Sequence, residues 1–139
     1  MPSLPSLAAV TGRTENALRA LLSKTLAPTH INSYSAWVVL NAQAADTSAS
    51  HSEWRRAAAD ALKVGDQFLD PIVAHLRAAN LIDSNNAVSA FGQTQLTAAR
   101  SAVAAATASL VEDISADEQE TTRRVLDHIR FRAEALLSG

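Results

Sequence analysis

The chain has 139 residues, with 12 Lys and Arg against 14 Asp and Glu, for a formal net charge of −2. That balance gives no general attraction to nucleic acid, so any such binding must rest on a local patch. Cysteine is absent, which excludes a disulfide framework and thiolate chemistry and suits a cytoplasmic location.

A chain of this length fits one domain, 1–139, and can bury a real core. Hydrophobic residues make up 47%, much of it alanine, and only 4% of the chain is aromatic. With four glycines, such a composition favours helix over sheet. The longest apolar stretch, around Ala102 to Val111, is too short and too interrupted by Thr107 and Ser109 to span a bilayer. The opening MPSLPSLAAV lacks the basic start of a signal peptide, so no membrane role is expected.

The first helix is predicted to start near Ser3 or Ser6, with a stripe of Leu7, Val10, Ala17, Leu18, Leu21 and Leu22. Gly12 weakens it by about 1 kcal/mol relative to alanine, which leaves a start near Thr14 as the alternative. It ends before Pro28. A second helix runs from Asn32 or Ser33 to about Ala45, with Ala36, Trp37, Leu40 and Ala44 inward. Residues 46–50 form a loop or a very short strand.

The stretch from Ser50 to Ile82 reads as two short helices with a tight connection, the spacing of a helix-turn-helix. Ser50 and Glu53 fit a capping box, and Trp54, Ala57, Ala58, Ala61 and Leu62 make one apolar face. Gly65 is the expected left-handed stop. In the second helix Ile72, Val73, Leu76 and Ala79 face inward, and its start falls either at Pro71, capped by Asp70, or near Asp66.

Residues Asp83 to Gln95, DSNNAVSAFGQTQ, are polar and turn-rich and read as a short two-stranded hairpin. A long helix resumes at Thr97, with Ala99, Val103, Ala106, Leu110 and Ile114 as its stripe. Ser115 and Glu118 make a further capping box. The last helix carries Val125, Leu126, Ile129, Ala133, Leu136 and Leu137. Its Arg123, Arg124, Arg130 and Arg132 interleave with Glu118, Glu120, Asp127 and Glu134, a pattern of ion pairs within or between helices.

The expected fold class is mainly α with a small β-hairpin wing. A winged helix-turn-helix lobe (31–96) is flanked by N- and C-terminal dimerisation helices (3–27 and 97–139). Those terminal stripes are more than one small lobe can cover, so a homodimer is expected. The histidines His30, His51, His75 and His128 are dispersed without metal-ligand spacing. No phosphate loop or nucleophile motif is present, so the reading is of a non-enzyme without metal, catalytic site or cofactor.

In order and spacing the chain resembles the MarR family of bacterial transcription regulators. Leu62 to Ile82 matches the family's helix-turn-helix without a gap, with Val73, Leu76, Leu81 and Ile82 at its apolar positions. Leu96-Thr97 falls where the family closes its wing and opens the next helix, and SADEQETTRRVLDHI resembles the start of its last dimerisation helix. There are departures. Asn80 stands where the family's "GLI" has glycine, and Arg100 where a further glycine is usual. The wing has no Lys or Arg, and Asp66, Asp70 and Pro71 sit where Ser, Thr or Arg often open the recognition helix.

The resemblance implies a homodimeric regulator of double-stranded DNA. Its candidate DNA-binding residues are Arg55, Arg56, Lys63, Gln67, Asp70 and Arg77. The arginines and Lys63 suit phosphates, Gln67 suits adenine, and Asp70 repels phosphate unless it accepts from a base amine. The plain alternative for each is a solvated helix face. The resemblance also implies a small aromatic or lipophilic effector beside His30, Tyr34, Trp37 and Val38, for which core packing of Trp37 is the alternative. The competing function is a dimeric interaction protein of the same fold with weakened or lost DNA binding.

Overall fold

The computed structural model describes residues 3–139. Met1 and Pro2, which open the segment without a signal-peptide start, lie outside the described residues. The chain divides into two compact units, the first running to Ala104 and the second spanning Ala105–Gly139.

In the first unit, α1 (Leu7–Leu26) begins where Ser6 Oγ accepts the Ala9 amide at 3.1 Å, so the earlier of the expected starts holds. The helix runs through Gly12, where a side chain would meet nothing. Of α1 only Leu26 is fully buried. Thr29 Oγ1 donates to the Leu26 carbonyl at 2.6 Å and closes the connector.

α2 (Tyr34–Ala45) is capped by Ser33, whose Oγ accepts the Ala36 amide at 3.1 Å. Its sequence is apolar nearly all round, and a helix of that kind is surrounded by others. It packs against α1, α3 (Trp54–Leu62) and α4 (Asp70–Ala78). Ala36 and Leu40 are buried as expected, and Val39 and Gln43 join them.

No strand follows; the connection is organised by Asp46. Its carboxylate accepts the Ser48 amide at 2.9 Å and the Ser48 hydroxyl at 2.5 Å. It also accepts the Trp54 amide at 3.1 Å, capping α3 from eight residues away. The expected Ser50–Glu53 capping box does not form, because Asp46 already satisfies that helix start and Ser50 pairs with Ser52. The helix stop also differs from expectation. Lys63, at φ 56°, takes the left-handed position, and Gly65 stays at φ −72°.

A short 3₁₀ turn (Asp66–Leu69) leads straight into α4, with Pro71 in the first turn, where its missing N–H is harmless. Helical structure therefore begins near Asp66. Asp70 is the first residue of α4 rather than its cap. Leu69, Val73 and Leu76 are buried. Asn80 ends the helix at φ 63°, which explains how it stands in for a glycine.

The expected hairpin over Asp83 to Gln95 is not formed. The β pairing among the described residues is one isolated antiparallel bridge, Ile82 with Val88. Between them Asp83 Oδ1 accepts the amides of Asn85 and Ala87, and Asn86 sits at φ 63°. The polar residues that follow are helical: α5 (Ala90–Val111) begins well before Thr97. Ser89 Oγ accepts the Gly92 amide at 2.9 Å and donates to the Asn80 carbonyl at 2.7 Å, so it starts the helix and ties it to the end of α4. Gly92 is required there, since a Cβ would lie 2.0 Å from the Leu81 carbonyl oxygen. The core of this unit joins Leu26, Ile31 and Leu40 to Trp54, Leu69, Val73, Leu76, Leu81, Ile82, Leu96 and Ala99.

The second unit contains the end of α5 and α6 (Ala116–Ser138). Ser115 and Glu118 do form a cap: Ser115 Oγ accepts the Glu118 amide at 3.2 Å and donates to its carboxylate at 3.0 Å. Gln119 Nε2 donates to the Ile114 carbonyl at 2.8 Å and braces the turn. The expected ion pairs appear within α6, Arg123 with Glu120 and Arg130 with Asp127 and Glu134. No residue of α6 is buried, and Val125, Leu126, Phe131, Leu136 and Leu137 are exposed.

Candidate functional site

Beyond the shared apolar core, one side chain bridges the parts of the helix-turn-helix. Arg55, on α3, places Nε 2.8 Å from Asp66 Oδ1, and one terminal nitrogen 2.9 Å from Asp66 Oδ2 and 2.8 Å from Asp70 Oδ1. The same nitrogen donates to the Asp66 carbonyl at 3.2 Å, and the guanidinium lies over the Trp54 ring at 5.3 Å. The planar fork of an arginine suits such multiple contacts. Hydrogen bonds to Asp66 and then Asp70 push the Arg55 pKa up from its already high value, and the Arg55 bond holds the Asp66 carboxyl below the usual range. Arg55 therefore joins α3 to the turn and to the first residue of α4, and neutralises part of the acidic charge there.

The other candidate cations differ in availability. Lys63 Nζ is 3.1 Å from Asp60 on its own helix, with both side chains more than half exposed. Arg77 donates to Asn86 Oδ1 in the loop after α4, where His51 Nε2 also meets the Asn86 carbonyl at 3.0 Å. Arg56 is exposed and has no ion pair among the described residues. It lines a shallow groove with Arg55, Lys63, Val64 and Asp66. The Gln67 side chain folds back over Gly65, where a Cβ would lie 2.6 Å from its amide oxygen.

On α4 the exposed residues are Asp70, Pro71, Ala74, His75, Arg77 and Ala78, opposite the buried Val73 and Leu76. Phe68 is not among the residues the sequence singles out. It is 60% exposed at the 3₁₀ turn, while the neighbouring Leu69 is fully buried. The signal was two adjacent large apolar residues, only one of which a helical period can turn inward.

Around α2, Tyr34, Trp37 and Val38 are half-buried and share one face by helical spacing. Arg19 of α1 lies over the Tyr34 ring at 4.9 Å, and the His30 ring meets Phe91 of α5 edge-on at 5.3 Å. Asn41 Nδ2 donates to the Trp37 carbonyl at 2.8 Å, and Asn41 Oδ1 accepts from Arg100 Nε at 3.0 Å. Trp37 also packs against the core. The structure thus adds Arg19 and Phe91 to this region. Among the described residues no three His, Asp or Glu side chains are grouped to hold a metal, and no helix is long and apolar enough to cross a membrane.

No protein-family model matches the sequence, and no curated protein matches it. Among solved structures, the crystal structure of the Mycobacterium tuberculosis MarR family protein Rv2887 in complex with salicylic acid is similar. The match has a TM-score of 0.67 at 22% identity and covers 90% of this chain and 98% of that one. The helix order, the helix-turn-helix and this structural match agree: the chain has the fold of a MarR family protein.

Proposed function

We propose that the chain is a homodimeric, MarR-like transcriptional regulator that binds double-stranded DNA and answers to a small aromatic or lipophilic effector. The observation that carries this reading is a fully built helix-turn-helix, α3, 3₁₀ turn and α4, in a chain with the fold of a MarR family protein. Dimerisation through 3–27 and 97–139 is supported by the exposed Leu7, Val10 and Leu18 of α1 and by the exposed apolar residues of α6.

In this reading α4 of each subunit enters one of two successive major grooves, and the short loop after Ile82 approaches the backbone. Arg56 and Arg77 meet phosphates, with Lys63 and Arg55 contributing what their carboxylate partners leave, and Gln67 faces a base edge. The effector sits beside His30, Tyr34, Trp37 and Val38, a proposal supported by the salicylic acid held by the similar structure. It acts by binding one spacing of the two reading heads better than the other.

One observation favours a second reading, a dimeric interaction protein of the same fold. Arg55 is engaged by two carboxylates, and the loop 83–89 offers no Lys or Arg. Selection of genomic DNA fragments on the purified protein separates the two. A regulator enriches a small set of fragments sharing a pseudo-palindrome. Enrichment no better than for random fragments leaves the interaction protein.

A further inference from the structure

We infer that Phe68 is a specificity-determining residue that packs on thymine methyl groups, so that each half-site is read chiefly at A·T pairs. The inference rests on the DNA-binding reading above. Phe68 lies at the turn immediately before the recognition helix, the end from which such helices reach base edges. The residue is 60% exposed although the neighbouring Leu69 is fully buried. Pro71 and Ala74 follow at intervals of three and are also exposed, which gives the leading end of α4 a small apolar face.

Guanine is ordinarily read by Arg or Lys, through O6 and N7. Between Val64 and Leu76 the chain has no Lys or Arg. Arg55 is bound to Asp66 and Asp70, which flank Phe68 in the chain, and Arg77 is bound to Asn86 at the far end of the helix. Beside the Asp70 carboxylate and the His75 ring, this end offers bases an aromatic ring, a proline, a methyl group and the amide of Gln67. An apolar side chain distinguishes thymine by its C5-methyl group, and an amide distinguishes adenine.

The test uses fluorescence anisotropy with the duplex selected from genomic fragments, prepared with thymine and again with uracil in each half-site. Loss of the buried methyl should weaken binding about fourfold per contact. Phe68→Ala should bind the thymine duplex as weakly as the uracil one and no longer tell them apart, and Phe68→Leu should retain part of the difference. A guanine-centred consensus, or equal affinity of the unaltered protein for both duplexes, overturns the inference while leaving the regulator intact. Failure to select any duplex overturns the regulator reading, and this inference with it.

Discussion

Arg55 and Asp70 are joined by a 2.8 Å ion pair that bridges the helix before the turn and the first residue of the helix after it. The Arg55 side chain is only 28% exposed, whereas Asp70 is 69% exposed. The arginine is held in place and the carboxylate faces outward, at the end of the reading head where DNA phosphates would come. The charge that sequence alone assigns to phosphates is thereby spent within the protein.

Asp70→Asn should therefore strengthen non-specific DNA binding. A carboxylate about 5 Å from a phosphate is repelled by about 1 kcal/mol even in bulk-water dielectric, which corresponds to about fivefold per subunit. With Arg55 and Lys63 engaged by carboxylates, binding should also fall only gently with salt, with a log–log slope no steeper than about −4 to −5 per dimer. Arg56→Ala should flatten that slope by about 2, since it removes one phosphate contact from each subunit. Titrations from low to physiological salt check all three values. A neutral or harmful Asp70→Asn would mean that Asp70 accepts from a base amine.

The core of the first unit was legible because burial recurs at helical period: Leu40, Val73 and Leu76 face inward as their spacing requires. Caps formed by near neighbours, at Ser6, Ser33 and Ser115, were legible for the same local reason. What escaped the sequence depends on partners far along the chain. Asp46 replaces the Ser50 cap from eight residues away, and Arg55 meets its carboxylates at separations of 11 and 15. The missing hairpin has the same cause. Residues 90–95 look like a turn, but the bond from the Ser89 hydroxyl to the Asn80 carbonyl and the close approach of Gly92 to Leu81 make them the first turns of α5.

Gln43 is 1% exposed in α2, and neither of its side-chain amide atoms has a hydrogen-bond partner among the described residues. An unsatisfied buried amide costs about 1–3 kcal/mol, and methionine is close to it in size and shape. Gln43→Met should raise the thermal midpoint by a few degrees, by about 1–3 kcal/mol of stability. A clear destabilisation in differential scanning calorimetry would mean that the amide is in fact satisfied in solution.

Stability should fall on the acid side through two identified carboxylates. The Asp46 pKa is lowered chiefly by the Ser48 hydroxyl, and that of Asp66 chiefly by Arg55. A lowered folded-state pKa means that the ionised form favours the fold. The gain is complete above the unfolded value of about 3.9 and is lost as pH falls through the folded value. Melting curves from pH 6 downward should show a loss below about pH 4 that is shallower in Asp46→Asn and in Asp66→Asn. Curves that stay parallel to the unaltered protein would remove these groups from the acid response.

The effector proposal is tested by fluorescence, because Trp37 is half-buried and Trp54 is 2% exposed. Salicylic acid or a related aromatic should quench Trp37, leaving the effect intact in Trp54→Phe and abolishing it in Trp37→Phe. The reverse pattern would place the ligand beside α3 instead.

In the proposed function two copies of this helix-turn-helix read one duplex together. Hydroxyl-radical footprinting on a selected genomic fragment tests it most directly. Two protected patches are expected on one face of the DNA, with centres about 10 base pairs or a small multiple of that apart. Both should weaken together in Arg56→Ala. A single patch, or protection no different from that on a random fragment, would contradict it.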